Sequence, residues 1–477
     1  MFAKFLSLLL FFYVLYAFLF GVIIFHFHQP STSHYLNDLD IYRFYSESLS
    51  QDRVVLVEDR VESGIARINL IENAQHTLDI SYHTLHSGMA SDIFFSSLVV
   101  AADRGVQIRI LLDGMFHNLR GSIKQIPYAF SSHPNIELKW YESFNPLQPW
   151  TWNNRLHDKL MLVDHELAMI GGRNIGDKYF APEGYDGASN DRDVIIINTD
   201  SNQPVGSVIS DMKGYFDAVW NHEYTEYAVR DLSEKQQDKG LKMLLNLRQQ
   251  LESYHERYPD MFQQDIHWIN QSLPTNNISF IHNPIERMNK EPWVWFELIT
   301  LAEHAEQSIW IQSPYLIPTN EMMEHFDKNN MRAVEINMIT NSLAATNNKM
   351  AYSGYIWYRD SIAANQDVQL YEYQGPTEQL HTKTYIFDNR ISMVGSFNLD
   401  PRSTFLSTES MVVIDSEPLA TMLINKIKKD IRYNSLKVAH DGTYHPSALV
   451  EAEEVSKFKT TLIRVISFPM RFFQYML

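Results

Sequence analysis

The spacing of apolar positions changes several times along the chain, and each change predicts an element. Phe5 to Phe25 holds 21 residues, rich in Leu, Phe and Tyr and without a charge. A bilayer core takes ~20 apolar helical residues, so this run predicts a membrane-spanning anchor. A cleaved signal peptide is the competing reading; the run ends in Phe25-His26-Phe27-His28-Gln29-Pro30, without the small-residue cleavage site it needs. After a polar connector, Ile65, Ile68 and Ile71 mark one face of a helix over Ser63 to Asn73. Leu78 to Tyr82 reads as a strand, a further helix stops at Gly105, and Val106 to Leu112 reads as a buried strand. The order returns in the second half, with Trp293 to Glu306 as helix and Ser308 to Gln312 and Val334 to Ile339 as strands. Such alternation, met twice, predicts a duplicated α/β layer structure.

Three stretches break the pattern. Residues 229–275 are dominated by Lys, Gln, Glu and Leu and predict a mostly helical linker with solvated charged faces. Trp140, Tyr141, Phe144, Trp150 and Trp152 share a loop with Pro146 and Pro149. Its rings either pack the loop or form an interfacial lip or acyl-chain groove. Lys457 to Leu477 sets Phe458, Leu462, Val465 and Phe472 against Lys457, Lys459, Arg464 and Arg471, with Pro469 bending or ending any helix. Packing on the protein and lying in a membrane plane are both open to it.

The chemistry sits in a repeat. His157 to Asn174 reads HDKLMLVDHELAMIGGRN, and His381 to Asn398, 224 residues on, reads HTKTYIFDNRISMVGSFN. Residues two apart on a strand share a face, so His157 projects with Lys159 and His381 with Lys383, while Leu160, Leu162 and Ile386 fall behind them. Asp164-His165-Glu166 and Asp388-Asn389-Arg390 read as hairpin turns. Gly171-Gly172 and Gly395-Ser396 are small enough to let backbone approach a ligand, and Asn174 and Asn398 can donate to an anion. Two lysines and two asparagines make a cage for phosphate oxygens. Of two imidazoles, each with an unperturbed pKa of about 6.5, one can attack phosphorus while the other moves the proton. That scheme needs no metal.

The pattern H-x-K-x4-D followed by G-[GS]-x-N, present twice, resembles the phospholipase D superfamily. The wider runs, Gly171 to Phe180 and Gly395 to Ser403, resemble bacterial cardiolipin synthases, in particular the cardiolipin synthase C branch. The resemblance covers most of residues 50–440. It implies two phospholipase D-like α/β sandwich domains with one active site at their pseudo-twofold interface. It also implies a catalytic set of His157, Lys159, Asp164, His381, Lys383 and Asp388, with Lys159, Asn174, Lys383 and Asn398 on the phosphate. Asp164 and Asp388 lie a whole strand, ~23 Å, from their histidines, so strand geometry has them holding the hairpins. A carboxylate orients each histidine in the superfamily; the resemblance implies Asp193 and Glu409, each opening a strand-like run. No cofactor is implied. The implied substrates are phospholipids, with phosphatidylglycerol as acceptor and phosphatidylglycerol or phosphatidylethanolamine as donor; water as acceptor would make the enzyme a phospholipase D. An accessory protein is left open.

Composition narrows the partners. Lys and Arg number 40 against 57 Asp and Glu, a formal charge of −17. That opposes a nucleic-acid partner, and with it a nuclease of the same superfamily, since phosphate backbones call for a basic footprint. A catalytically silent membrane scaffold is the non-enzyme rival. There is no cysteine, hence neither disulfide nor thiol chemistry. Lys4 before the apolar run, with Asp38 and Asp40 after it, predicts a single-pass anchor in a bacterial cell membrane with the catalytic part outside the cytoplasm. The chain divides as anchor 1–28, connector 29–55, first domain 56–228, linker 229–275, second domain 276–440 and tail 441–477.

Overall fold

Strand alternation determines how the layers stack. In Asp193–Asn198, Val194 and Ile196 face one apolar cluster while Ile195 and Ile197 face another. In Ser410–Asp415, Val412 and Ile414 face that first cluster, while Met411 and Val413 face a third. Leu160, Leu162 and Ile386 all point into the cluster that the two halves share. Each half thus has an outer core under its own helices, and between the halves lies one apolar layer. Each fully buried Leu, Ile or Val there contributes about 1.5–3 kcal/mol, so separating the halves would forfeit the stability of both.

The computed structural model describes residues 2–200, 206–264, 266–327, 330–332, 335–375 and 377–477. Met1 of the expected anchor and Val334 of an expected strand lie outside the described residues. Among those described, a nine-stranded sheet runs from edge to edge as Leu273–Pro274, Asp52–Val57, Asp193–Asn198, Leu167–Gly171, Lys159–Val163, Thr77–Tyr82, Gln107–Asp113, Ile136–Tyr141 and Thr225–Tyr227. An eight-stranded sheet runs as Asn277–His282, Ser410–Asp415, Ile391–Gly395, Thr384–Phe387, Ser308–Gln312, Glu335–Asn341, Val368–Tyr373 and Ser435–Lys437. Apart from the short Leu273–Pro274 edge, the second order repeats the first strand for strand. Helices Arg60–Asn73 and Met89–Asp103 cover the outer face of one sheet, and Trp293–His304 and Lys349–Ala364 that of the other. Helices Val208–Trp220 and Glu417–Asn434 bury Met212, Phe216, Leu419 and Leu423 in the shared layer.

The stretch read as a linker is part of the first half. Its helix Glu234–Arg257 buries Leu244 and Leu247 in the outer core, which Trp268 joins. The polar run had hidden this, because a long helix needs only a narrow apolar stripe to dock. The connector also packs: Ile41 and Phe44 enter the outer core of the second half. The apolar run forms a helix over Phe2–Phe27, long and apolar enough to cross a membrane.

Each motif ends in the expected hairpin. Asp164 and His165 have φ of 51° and 60°, and Asp388 and Asn389 have 51° and 55°, the left-handed pair that a tight right-twisted hairpin requires. The Asp164 carboxylate accepts from the backbone N–H groups of Gln75, His76 and Thr77, each at 2.7 Å. Asp388 accepts likewise from Glu306 at 2.8 Å, Gln307 at 2.6 Å and Ser308 at 3.1 Å. Both carboxylates therefore cap the start of the neighbouring strand, at the end of the hairpin remote from the histidine. This corrects their place in the catalytic set that the motif implies. Asp164→Asn is expected to cost about 1–3 kcal/mol of stability, as a charge-assisted cap is weakened, with turnover at low temperature within a few-fold of the parent. Chemical denaturation beside a turnover assay checks this; a hundredfold loss of turnover at unchanged stability would return Asp164 to the chemistry.

Candidate active site

At the seam, each half supplies what the other half's histidine lacks. His157 Nδ1 donates to Glu409 of the second half, at 2.9 Å to Oε1 and 3.1 Å to Oε2. His381 Nδ1 donates to Asp191 of the first half, 2.5 Å from Oδ2. Backbone pairing enforces the crossing. Glu378–Leu380, leading into His381, pairs in parallel with Ala188–Asn190, leading into Asp191. Arg155, before His157, bridges in parallel to Ser407, before Glu409. The His157 N–H reaches Thr408 Oγ1 at 2.9 Å, and the His381 N–H reaches the Asn190 carbonyl at 2.7 Å.

Lys159 and Lys383 are buried, and each ammonium donates to the carbonyl of the histidine in its own motif. Lys383 also lies 3.6 Å from Asp191 Oδ2. Asn174 donates to the Tyr179 hydroxyl at 3.2 Å, and the Tyr179 ring stands 5.9 Å from that of His381. On the other side the His83 ring meets His157 edge-on at 5.1 Å. Asn398 is buried, where Ser403 Oγ accepts from its backbone N–H at 3.3 Å. With the two hairpin aspartates set aside and Asp191 in place of Asp193, the two histidines, their carboxylates and Lys383 meet at one seam, and Asn174 reaches it through Tyr179.

Burial dominates the electrostatics. It drives the His157 imidazolium far below its usual range, and Lys159, Lys383 and His381 push the same way. Burial and Lys383 bring His381 down to about 4, and burial brings Lys159 down to about 7. The two carboxylates part company. Burial pushes Glu409 up to about 8, whereas at Asp191 the charges of Lys383 and His381 overcome burial and hold it at about 2. Groups in equivalent places are thus driven apart in acidity, which suits two imidazoles to different tasks.

Asp193, the residue expected to orient a histidine, does something else. Its Oδ2 accepts from Ser63 Oγ at 2.7 Å, Arg173 at 2.8 Å and Arg67 at 3.1 Å, all buried. Strand register explains the error. Gly171 pairs with Asp193 and Gly395 with Met411, so the equivalents are Asp191 and Glu409, each two residues ahead of a glycine's partner. The glycine's partner is set by the assembled ladder, so no short stretch of sequence singles out Asp191. Glu409 was expected on a histidine and does touch one, but across the seam. The motif glycines make room for protein groups as well. A Cβ on Gly172 would collide with Asp191 Oδ1, so the missing side chain makes room for the carboxylate. At the matching position Ser396 keeps its hydroxyl and donates to Glu409 at 2.5 Å.

Comparisons with known proteins cover both halves. The family described as "Cardiolipin synthase, PLD-like domain" matches residues 67–220 and 298–431. The chain is 28% identical over 404 residues to cardiolipin synthase C of Escherichia coli K12, covering 77% of this chain and 82% of that one. An uncharacterized protein of Helicobacter pylori 26695 is 27% identical over 450 residues, covering 86% and 85% of the two chains. A cardiolipin synthase of Staphylococcus aureus Mu50 is 24% identical over 403 residues, covering 84% and 68%. Among solved structures, phosphatidylserine synthase of Haemophilus influenzae Rd KW20 superposes with a TM-score of 0.60 at 14% identity, over 89% of this chain and 95% of that one, which establishes likeness of fold.

Two measurements test this geometry. Asp191→Asn is expected to cut turnover at least a hundredfold with the fold retained, because it removes the charge behind an imidazole. Asp193→Asn is expected to cost about 3 kcal/mol by stranding buried guanidinium groups; equal stabilities for the two variants would contradict the assignment. Secondly, burial leaves His157, His381 and Lys159 with fewer protons than they would hold in water, since all three are depressed. A bound oxyanion favours their protonated forms and so must draw protons in. Tungstate affinity is expected to rise as pH falls from about 8 to about 6, up to tenfold per pH unit for each proton taken up. Calorimetry in buffers of different ionisation enthalpy reads that uptake, and a pH-independent affinity would contradict it.

Proposed function

We propose, on the premise that the chain belongs to the cardiolipin synthase, PLD-like domain family, that this phospholipase D-type phosphatidyltransferase makes cardiolipin through a phosphohistidine. The observation that carries the reading is the crossed pair of histidine–carboxylate hydrogen bonds, flanked by two buried lysines at one seam. One imidazole, its Nδ1–H held by a carboxylate of the other half, presents the Nε2 lone pair to the phosphorus of a bound phospholipid. As the N–P bond forms, the P–O bond to the head-group alcohol breaks. The second imidazole, which takes up a proton when the anionic phosphodiester binds beside it, gives that oxygen its proton. The now neutral second imidazole takes a proton from the hydroxyl of an incoming lipid, whose oxygen displaces the phosphohistidine. Both histidines end as they began. Lys159 and Lys383 stabilise charge on the phosphoryl oxygens in both steps, and their burial strengthens that interaction.

Phosphatidylglycerol as the acceptor yields cardiolipin, and phosphatidylglycerol or phosphatidylethanolamine serves as donor. The names of the Escherichia coli and Staphylococcus aureus relatives favour a lipid acceptor over water. The apolar helix Phe2–Phe27 would hold the site beside its substrates.

His157→Ala and His381→Ala are each expected to lower lipid turnover by at least a thousandfold, since each removes either the nucleophile or the proton carrier. Lipid extracts from cells making the parent protein should gain cardiolipin, and extracts from either variant should not. Phosphatidic acid without cardiolipin would identify a hydrolase instead, and parental turnover in either variant would end the shared-site mechanism.

A further inference from the structure

Segments far apart in sequence meet the apolar helix along its second half. Tyr13 and Tyr16 donate to the carbonyls of Pro146 and Leu147, at 3.2 and 2.7 Å. Phe20 stands 6.4 Å from the Trp150 ring, and Asn153 donates to the Gly21 carbonyl at 2.8 Å. From the other end of the chain, Phe473 meets Phe18 at 6.2 Å and the Tyr475 hydroxyl donates to the Val22 carbonyl at 2.9 Å. The aromatic loop and the tail therefore flank one stretch of the helix, Tyr13 to Val22.

Length then forces a depth. Lys4 is the one Lys, Arg, Asp or Glu between Phe2 and Phe27. Counted from Phe5, the ~20 residues that a bilayer core needs run to about Ile24. The free part, Phe5 to Phe12, spans only about 12 Å at ~1.5 Å per residue. The rest of the crossing is the very stretch that the loop and the tail embrace. If the helix spans a membrane, those two segments stand at the depth of the near leaflet.

Their surfaces suit that depth. The helix Lys457–Met470 has two apolar faces, one of which buries Ile463 against the second half. The other leaves Phe458, Val465 and Phe468 exposed by 65–76%, continued by Phe472 at 65%. In the loop, Phe144 is 54% and Leu147 72% exposed. A contiguous apolar strip this open, rimmed by charge, is the kind that marks a contact surface. Lys457, Arg464 and Arg471 border the outer face on a chain whose net charge is −17. The basic border matches anionic head groups, as in helices lying in a membrane plane.

We infer that the Phe144–Trp152 loop and the outer face of the tail helix form a platform seated in the near leaflet of an anionic bilayer. The inference rests on the membrane-spanning reading of Phe2–Phe27 and not on the reaction catalysed. The platform is tied to the seam at two places. Asn153, held to Gly21, lies in the segment leading to His157, and the Met476 carbonyl accepts from Arg402 Nε at 2.9 Å. Arg402 in turn bears on the His157 charge. Seating the platform would set the mouth of the site at the level of lipid phosphates.

The chain has no cysteine, so single substitutions Phe468→Cys, Leu147→Cys, Phe11→Cys and Leu245→Cys each carry one thiol-reactive fluorophore. The full-length protein is placed in nanodiscs of phosphatidylglycerol and phosphatidylcholine with brominated acyl chains. Probes at 468 and 147 are expected to be quenched at least half as strongly as the probe at 11, while that at 245, exposed on the helix Glu234–Arg257, is not. Quenching at 468 and 147 no greater than at 245 would overturn the platform. A blue shift that follows protein concentration and ignores bromination would overturn it in favour of a protein contact. An unquenched probe at 11 would overturn the span itself. None of these outcomes depends on turnover, so a wrong reaction and a wrong platform are told apart.

Discussion

The architecture depends on a constraint of exchange: neither half can orient its own histidine. Glu409 reaches His157 and Asp191 reaches His381 only because the segments leading into them pair in parallel across the seam. An imidazole offers a defined lone pair at one nitrogen when a partner fixes the proton on the other. The shared apolar layer between the sheets therefore does more than hold two domains together. It sets the register in which two incomplete sites become one, and it keeps water from weakening the charges there.

Burying that many charges is costly, and the structure offsets the cost locally. Lys383 lies by Asp191, and Asp193 gathers Arg67 and Arg173 two residues further on. Alternation puts the two aspartates, two residues apart, on one strand line, yet one meets His381 and the other a pair of buried arginines. The difference arises at the edge of the strand. Asp191 has left the ladder and stands beside Gly172, whereas Asp193 is paired with Gly171 inside it. Small differences of this kind also separate the halves. A glycine beside Asp191 corresponds to a serine hydroxyl bonded to Glu409, and the two carboxyl groups are driven to opposite ends of the acidity range. A duplicated frame thus holds an asymmetric site.

Much of this was legible before any coordinates. Periodic features carry their own geometry. Two-residue alternation announced the strands and set Leu160, Leu162 and Ile386 on the faces turned away from their motif histidines, and the repeated His-x-Lys positions announced a frame in two like parts. The hairpin turns were readable because Asp and Asn tolerate positive φ, and the apolar run because a bilayer requires a minimum length. These signals are local, so a single chain can state them.

What the tertiary structure alone decided is which residue meets which. Asp193 and Asp191 look alike in sequence, and only the ladder with Leu167–Gly171 shows which of them leaves the sheet. Nothing local revealed that carboxylates cross between halves, that the apparent linker packs as a layer, or that Pro146, Leu147, Phe473 and Tyr475 converge on one helix. Pairing across hundreds of residues is set by the free energy of the assembled layers, which no short stretch contains. Sequence therefore determined the parts and their chemistry, and packing determined their partners.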